Sequence, residues 1–153
     1  MNLSKLFKTL GITITIASIF ILPKLSFAGK LPNIGRPDGY FVYKGMIYAK
    51  SGGSICGFLT EGHLDIFRGV YPAPDIQINK FSSYKNLGAC SVPEAYFNNG
   101  VTVFYSYGDG RYCAFLTQEA FDNWQDGHEA KNVNKVGRLP GEPILKNIGQ
   151  CPN

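Results

Sequence analysis

The sequence predicts an α+β protein made of two tandem β-hairpin–helix repeats that pack as one small disulfide-bonded domain. Three observations support this prediction: a residue pattern that recurs about 57 positions later, turn signals followed by helix starts, and four cysteines at repeated positions. The chain has 153 residues, of which 44% are hydrophobic and 14% aromatic. This length suits one domain or two very small ones, and the composition excludes collagen, coiled coil and extended disorder.

Residues 1–28 are predicted to be a secretory signal peptide. Two lysines precede an uncharged, mostly apolar run over 11–22, and Ser26 and Ala28 suit a signal peptidase site with cleavage after Ala28. The run is too short to cross a bilayer, which takes about 20 residues. The residue after the site is glycine, so a lipoprotein anchor is not indicated. We therefore expect a soluble periplasmic or secreted protein with no membrane anchor after cleavage.

Cleavage changes the charge of the protein. Removing 28 residues takes away three lysines and no acid, so the mature chain of 125 residues has 12 basic and 11 acidic side chains, a net charge of +1. A nucleic-acid-binding protein usually shows a basic patch or stripe, and the mature sequence shows none. We therefore expect no nucleic-acid partner.

The four cysteines predict a disulfide framework. They are Cys56, Cys90, Cys113 and Cys151, separated by 34, 23 and 38 residues. An even number in a small exported chain is typical of disulfides. Zinc sites usually contain close cysteine pairs, and a catalytic thiol must stay reduced. The sequence therefore predicts two disulfides and no zinc site. It also contains no calcium-loop pattern and no Gly-rich phosphate loop, so no metal and no cofactor are expected.

The chain resembles itself at a fixed offset. Residues 46–67 and 103–124 are identical at seven of 22 positions, Tyr48/Tyr105 among them. Flanking blocks match in the same order, 37–41 with 93–97 at an offset of 56 and 85–90 with 146–151 at an offset of 61. Such a pattern indicates a repeat architecture. The predicted organisation is a signal peptide (1–28), a lead-in (29–36), a first unit (37–92) and a second unit (93–153).

Each unit is predicted to begin with a β-hairpin. Strand-forming residues flank Gly-rich turns at 51–53 and 108–110, and glycine accepts the positive φ of such turns. A short helix is predicted after each hairpin, with Thr60 and Thr117 as N-caps. Leu59 with Leu64, and Leu116 with Phe121, have the spacing of a hydrophobic staple. Gly69 and Gly127 are predicted to end the helices, and the connectors that follow are predicted to be irregular.

The repeat favours two disulfide pairings. Equivalent positions suggest equivalent bonds, which favours Cys56–Cys90 with Cys113–Cys151. The swapped pairing, Cys56–Cys151 with Cys90–Cys113, is equally symmetric and is the second choice. Each disulfide is expected to contribute about 2–4 kcal/mol.

The order of hairpin, threonine-capped helix with Phe and Trp, and then Leu139-Pro140-Gly141-Glu142-Pro143 resembles short hairpin–helix repeats of bacterial cell-surface proteins. The resemblance covers 101–143 and, more loosely, 40–75. The cysteines depart from that pattern. The resemblance implies a surface or envelope role and no particular activity.

The aromatic residues provide the candidate binding surface. Tyrosine and tryptophan offer a large contact area with a polar tip, and Tyr105 shares a strand face with Tyr107. The candidate binding residues are Tyr107, Arg111, Tyr105 and Trp124. For Tyr107 and Arg111 binding and packing are equally supported, whereas Tyr105 is expected to contribute to the core.

No catalytic residue is assigned. His63 and His128 are expected to be exposed and inert, His128 within a solvated turn. The paired Asp65 and Asp122 suggest acid–base chemistry less strongly than they suggest polar positions on the outer helix face.

The predicted function is a non-enzymatic binding module that recognises a protein or glycan in the cell envelope or outside the cell. The alternatives are a periplasmic inhibitor or immunity-type protein, acting through a loop such as 108–111 or 126–129, and a small secreted hydrolase that uses a His/Asp pair.

Overall fold

The first half of the chain forms a four-stranded mixed sheet and one α-helix. The computed structural model describes residues 31–152, so the predicted signal peptide lies outside the described residues. The elements of this half are β1 (Gly39–Tyr43), β2 (Met46–Ser51), β3 (Ser54–Gly57), α1 (Glu61–Val70), a 3-10 turn (Phe81–Ser83) and β4 (Lys85–Ala89). The strand order is β1-β2-β3-β4, in which β4 is parallel to β3 and the other pairs are antiparallel.

The second half forms a five-stranded mixed sheet and a second α-helix. Its elements are β5 (Glu94–Asn98), β6 (Val103–Tyr107), β7 (Arg111–Ala114), α2 (Gln118–Gln125), β8 (Lys131–Val133) and β9 (Lys146–Gln150). The order is β8-β5-β6-β7-β9, with β8 parallel to β5 and β9 parallel to β7. The predicted α+β class is confirmed.

The two halves share their order of elements. Each consists of an antiparallel three-stranded meander, a helix, a return segment beside the first strand and a last strand parallel to the third. In the second half the return segment is the strand β8. In the first half it forms only one isolated bridge, between Tyr40 and Asp75. The origin of this likeness by duplication, and the unit boundaries, stay predictions.

In β2 and β6, the second strands of the two meanders, the alignment between the two halves of the sequence is wrong by one residue. Ala49 lies opposite Cys56, and Tyr105 lies opposite Cys113, so Tyr105 corresponds to Ala49 and its alignment with Tyr48 is wrong. The turn between β2 and β3 has two residues and the turn between β6 and β7 has three. Because strand side chains alternate between faces, this difference puts Tyr48 and Tyr105 on opposite faces of their sheets.

Both predicted helix starts are confirmed. The hydroxyl of Thr60 accepts a hydrogen bond from the His63 amide at 3.3 Å, and that of Thr117 accepts one from the Ala120 amide at 3.1 Å. Each bond satisfies a backbone donor that a helix leaves free in its first turn.

The predicted helix ends are confirmed for one helix only. Gly127 follows α2 as predicted, and its amide donates to the Trp124 carbonyl. Gly69 does not end α1, because the helix continues to Val70. Gly69 instead allows close packing, since a Cβ there would lie 2.5 Å from Cγ2 of Val133 in the other half.

The last strand of each half was not predicted. In both strands an Asn-x-Gly sequence forms a local turn: Asn86 accepts from the Gly88 amide at 2.9 Å, and Asn147 accepts from the Gly149 amide at 2.8 Å. Both glycines have positive φ, and the pairing with β3 or β7 shifts register beside them. The repeated Asn-x-Gly-x-Cys pattern is therefore a bulged edge strand that places a cysteine at its end.

The favoured disulfide pairing is confirmed. Cys56–Cys90 and Cys113–Cys151 each join the third strand of a meander to the end of the parallel last strand. All four cysteines are buried. The two bonds indicate an oxidising, extracellular-type environment. Within residues 31–152, neither α-helix has the length and apolar character needed to cross a membrane.

The two halves share a core, in which α1 is the central element. Phe67 of α1 packs on the first sheet, whereas Ile66 belongs to an apolar cluster with residues of the second sheet, including Phe97 and Val133. Gly62 also donates its amide to the Arg138 carbonyl at 3.0 Å. In contrast, α2 covers only its own sheet, through Ala120, Phe121 and Trp124.

Candidate functional site

The four residues predicted to bind lie together beside the β6–β7 turn and α2. Ring centroids are 5.5 Å apart for Tyr105 and Trp124 and 6.3 Å apart for Tyr107 and Trp124. The guanidinium of Arg111 lies 5.3 Å from the centroid of the Tyr107 ring. His128, which was not predicted as a binding residue, joins them, and the five residues are called the aromatic cluster below.

Tyr105 is the buried member of the aromatic cluster. Only 2% of the residue is exposed, and its hydroxyl donates to a carboxylate oxygen of Glu94. Burial, together with the hydrogen bond to Glu94, raises the pKa of Tyr105 above its ordinary value. The ring therefore contributes to the core, as the sequence suggested, and is separated from the surface where the other candidates lie.

The indole of Trp124 is covered by His128. The two rings stack with centroids 4.0 Å apart and planes inclined by 5°, and Nδ1 of His128 lies 3.0 Å from the Trp124 carbonyl oxygen. The predicted solvated turn at 126–129 is confirmed, since these residues are exposed and lie outside α2, but the His128 ring also packs on Trp124. The i,i+4 spacing of Trp124 and His128 across the helix end is the signal that sequence reasoning missed.

The β6–β7 turn is fixed by a local ion pair. The Asp109 carboxylate accepts from Nε of Arg111 at 2.7 Å and from the Arg111 amide at 3.0 Å. The Arg111 side chain, as a hydrogen-bond donor, lowers the pKa of Asp109. The charge of Arg111 is thus already paired within the turn.

A groove that the sequence did not reveal lies where the β1–β2 turn meets the start of α1. It has a volume of about 520 Å³. Its lining residues are Gly45, Met46, Ile47, Phe58, Leu59, Thr60, Glu61, Leu64 and Asp65. Met46 and Leu59 are 40% and 50% exposed, and both line this groove. We call this site the corner groove.

The corner groove adjoins a second, smaller depression. Met46 and Leu59 also line a depression of about 160 Å³ on the other side, together with Tyr48, Gly57 and the turn of β4. The two exposed side chains therefore belong to a continuous apolar surface. Leu59 was predicted only as one partner of a staple with Leu64, and both residues line the groove.

The corresponding place in the second half is smaller and uncharged. A depression of about 140 Å³ is lined there by Leu116, Thr117 and Gln118, which stand where the first half has Leu59, Thr60 and Glu61, together with Phe121 and residues 101–103. Leu116 is 68% exposed. This depression provides a matched comparison for the corner groove.

The histidines and paired aspartates do not form a common site. His63 is completely buried, so the expectation that it is exposed is wrong. Burial lowers the pKa of His63 to about 4. Interactions with the backbone of Cys90 and Ser91 raise this pKa, but by less. Asp65 accepts from the Gly137 amide, whereas Asp122 accepts from the Gln118 side chain.

Two specific arrangements, a His–Asp hydrogen bond and a metal-binding cluster, do not occur in the described part of the chain. Between residues 31 and 152 no hydrogen bond joins a histidine to an aspartate. In the same range no group of three or more His, Cys, Asp or Glu side chains is arranged to hold a metal ion.

Fold and site together define a small α+β protein of two mixed sheets and two disulfides, with an apolar groove at one corner. Comparison with protein family models, curated proteins and solved structures finds no match to this chain. The resemblance to hairpin–helix repeats of cell-surface proteins therefore stays a prediction.

Proposed function

We propose that this protein is an exported, disulfide-stabilised binding module whose partner is another protein in the periplasm or outside the cell. The observation that carries the proposal is the corner groove, where Met46 and Leu59 expose large apolar side chains beside a recess of about 520 Å³. Contiguous exposed apolar surface on a small protein is typical of an interaction site.

The groove has the rigidity that a binding site needs. Its walls are the start of β2, the segment that joins β3 to α1, and the start of α1; Cys56 of the preceding β3 is tied to Cys90. Thr60, which also lines the groove, caps α1. Residues held in this way lose little conformational entropy on binding, which favours affinity.

A protein partner is favoured over a glycan by the state of the aromatic side chains. Glycan binding is helped by an aromatic ring whose face is open to the sugar. Here His128 covers the Trp124 indole, and the Tyr105 ring is buried. The corner groove is instead lined mainly by apolar side chains, which suit an apolar anchor residue of a protein partner.

The test compares two leucines in the same local position. Leu59 and Leu116 each precede the N-cap of a helix, and both are exposed, so replacement by serine should leave the fold intact. The wild type, Leu59→Ser and Leu116→Ser are used as baits for envelope and extracellular proteins of the source cells, with quantitative mass spectrometry. We expect partners that bind the wild type and Leu116→Ser but not Leu59→Ser. Equal recovery by all three baits would contradict the proposal.

Export is tested separately. The predicted cleavage after Ala28 would leave Gly29 as the first residue of the exported protein. N-terminal sequencing of protein from the periplasm or the medium should therefore begin at Gly29. Full-length protein retained inside the cell would contradict this part of the proposal.

The inhibitor alternative has one supporting observation, the preorganised β6–β7 turn. The Asp109–Arg111 ion pair holds an exposed loop in one conformation, as inhibitory loops require. If the partner is an enzyme blocked by this loop, inhibition should fall in Arg111→Ala and persist in Leu59→Ser. The reverse result would place the contact at the corner groove.

A further inference from the structure

We propose that the corner groove takes a peptide segment of the partner protein in which a large apolar side chain lies within a few residues of a lysine or arginine. This inference rests on the proposed function and specifies the chemistry of the partner at the same site. Two features of the groove support it, its exposed apolar side chains and its two carboxylates.

The apolar part of the groove suits a single anchor side chain. Phe58 is buried at its base, Leu64 is half-buried, and Leu59 is half exposed at the mouth. Met46 adds a flexible thioether that adapts to the shape of an incoming side chain. An apolar residue that enters here covers surface that the folded chain leaves in water.

The charged part of the groove is acidic. Glu61 and Asp65 line it, and its lining contains no lysine, arginine or histidine. Within residues 31–152 Glu61 takes part in no ion pair, and Asp65 has only one carboxylate oxygen, Oδ2, engaged by the Gly137 amide. The nearby Arg138 forms no ion pair with either carboxylate in this range. Glu61 is exposed although its side chain also lies against Gly137, and Asp65 is partly exposed with one oxygen unengaged, so both carboxylates can meet a cation of the partner.

The helix start beside the groove does not favour an anion. The partial positive charge at a helix N-terminus attracts anions, but here Thr60 satisfies the amide of His63 and Glu61 places a carboxylate in the first turn. An acidic peptide would therefore meet a carboxylate and few free donors. A basic side chain meets attraction from both Glu61 and Asp65.

The second half lacks this charge. Gln118 occupies the place of Glu61 in the smaller depression, and Asp122 does not line it. The expected preference for a basic residue therefore belongs to the corner groove alone, which makes substitutions in the second half suitable controls.

The experiment uses the mature protein with both disulfides intact. A phage-displayed library of random 12-residue peptides is selected on wild type and on Leu59→Ser, and peptides that need Leu59 are synthesised and titrated by calorimetry. We expect them to carry a large apolar residue close to Lys or Arg. Leu59→Ser should weaken their binding about tenfold or more, since an anchor contact is lost, and Leu116→Ser should leave it unchanged.

The charge is tested in the same peptides. Glu61→Gln should weaken binding about two- to fivefold, the size typical of an exposed ion pair, and added salt should reduce this difference. Met46→Ser is a second variant of the apolar wall and should act like Leu59→Ser. Thermal unfolding of each variant checks that it folds.

The outcomes separate the two proposals. If the Leu59-dependent peptides contain no basic residue, or if Glu61→Gln leaves their affinity unchanged, the chemistry proposed here is overturned. The proposed binding function would still stand. If no Leu59-dependent peptide is found, the inference is overturned, and the comparison of the three baits alone decides the proposed function. Self-association of the wild type that Leu59→Ser abolishes, measured by light scattering, would make a second copy of this chain the occupant and would also overturn the inference.

Discussion

The Asp65 carboxylate of α1 accepts a hydrogen bond from the backbone amide of Gly137, 72 positions later and 2.8 Å away. This bond ties the first half to the loop that follows β8. The paired aspartate of the second half, Asp122, accepts instead from Gln118 of its own helix, at 2.7 Å on an exposed surface. The two aspartates occupy matched positions, but only Asp65 links the two halves.

The first prediction follows from this difference. Asp65→Ala would leave the partly buried Gly137 amide without its acceptor and should lower the free energy of unfolding by about 1–3 kcal/mol. Asp122→Ala, the matched control, should change it by less than about 0.5 kcal/mol. Denaturant unfolding with the disulfides intact measures both values. If Asp65→Ala lowered the unfolding free energy as little as Asp122→Ala is expected to, the bond between the halves would contribute nothing to stability.

The second prediction concerns acid pH. His63 is fully buried, and its pKa is lowered from 6.5 to about 4 by burial. Above pH 6.5 the ring is neutral in both the folded and the unfolded chain. Between pH 6.5 and 4 the unfolded chain binds a proton that the folded chain does not. The stability of the fold therefore falls as the pH falls through this range. The loss should reach about 3 kcal/mol.

The His63 effect is measured as the unfolding free energy at several pH values. In His63→Leu, the fall in unfolding free energy between pH 6.5 and 4 that His63 causes should disappear. In His128→Ala, which changes an exposed ring, this fall should remain. A slope that is unchanged in His63→Leu would assign the acid sensitivity to other groups.

The third prediction uses the only tryptophan of the chain as a probe. His128 stacks on Trp124 at 4.0 Å, so His128→Ala should open one indole face to water. Trp fluorescence should shift to longer wavelength, and quenching by acrylamide should increase. Glu129→Ala, which changes the exposed neighbour, is the control, and identical spectra for the two variants would mean that the stacking does not shield the indole.

The fourth prediction tests the close approach at Gly69. A methyl group there would lie 2.5 Å from Val133 Cγ2, so Gly69→Ala should destabilise the protein by about 1–3 kcal/mol despite the better helix propensity of alanine. Combining it with Val133→Ala should recover part of the loss, since space is made for the methyl group. Gly53→Ala, where a Cβ meets nothing within 4 Å, is the steric control. A stabilised Gly69→Ala would contradict this packing.

Features that depend on neighbouring residues were predictable from the sequence. The Gly-rich turns, the Thr60 and Thr117 caps and the end of α2 just before Gly127 are set by contacts within a few positions. The recurrence of the cysteines at matched places left two symmetric disulfide pairings, of which the structure shows the favoured one. Local chemistry of this kind is readable because both partners lie in one short window.

Features that depend on distant contacts were not predictable. Gly69 has the composition of a helix terminator, and only the approach of Val133 shows why a glycine is needed inside α1. Burial of His63 depends on residues 58 and 90–91 enclosing the start of α1. In the candidate site, the sequence predicted four of the five members of the aromatic cluster. It missed His128, which covers Trp124 four residues earlier, and it missed the groove at Leu59.

The sequence by itself thus determined the α+β class, the hairpin turns, the helix starts and the two disulfides. The tertiary structure decided which face each side chain occupies and which apolar residues stay exposed. A single extra residue in the β6–β7 turn moved Tyr105 to the face opposite that of Tyr48, although the sequence aligned them. The physical reason is that turns and caps are short-range, whereas strand register and burial depend on which distant segments come into contact.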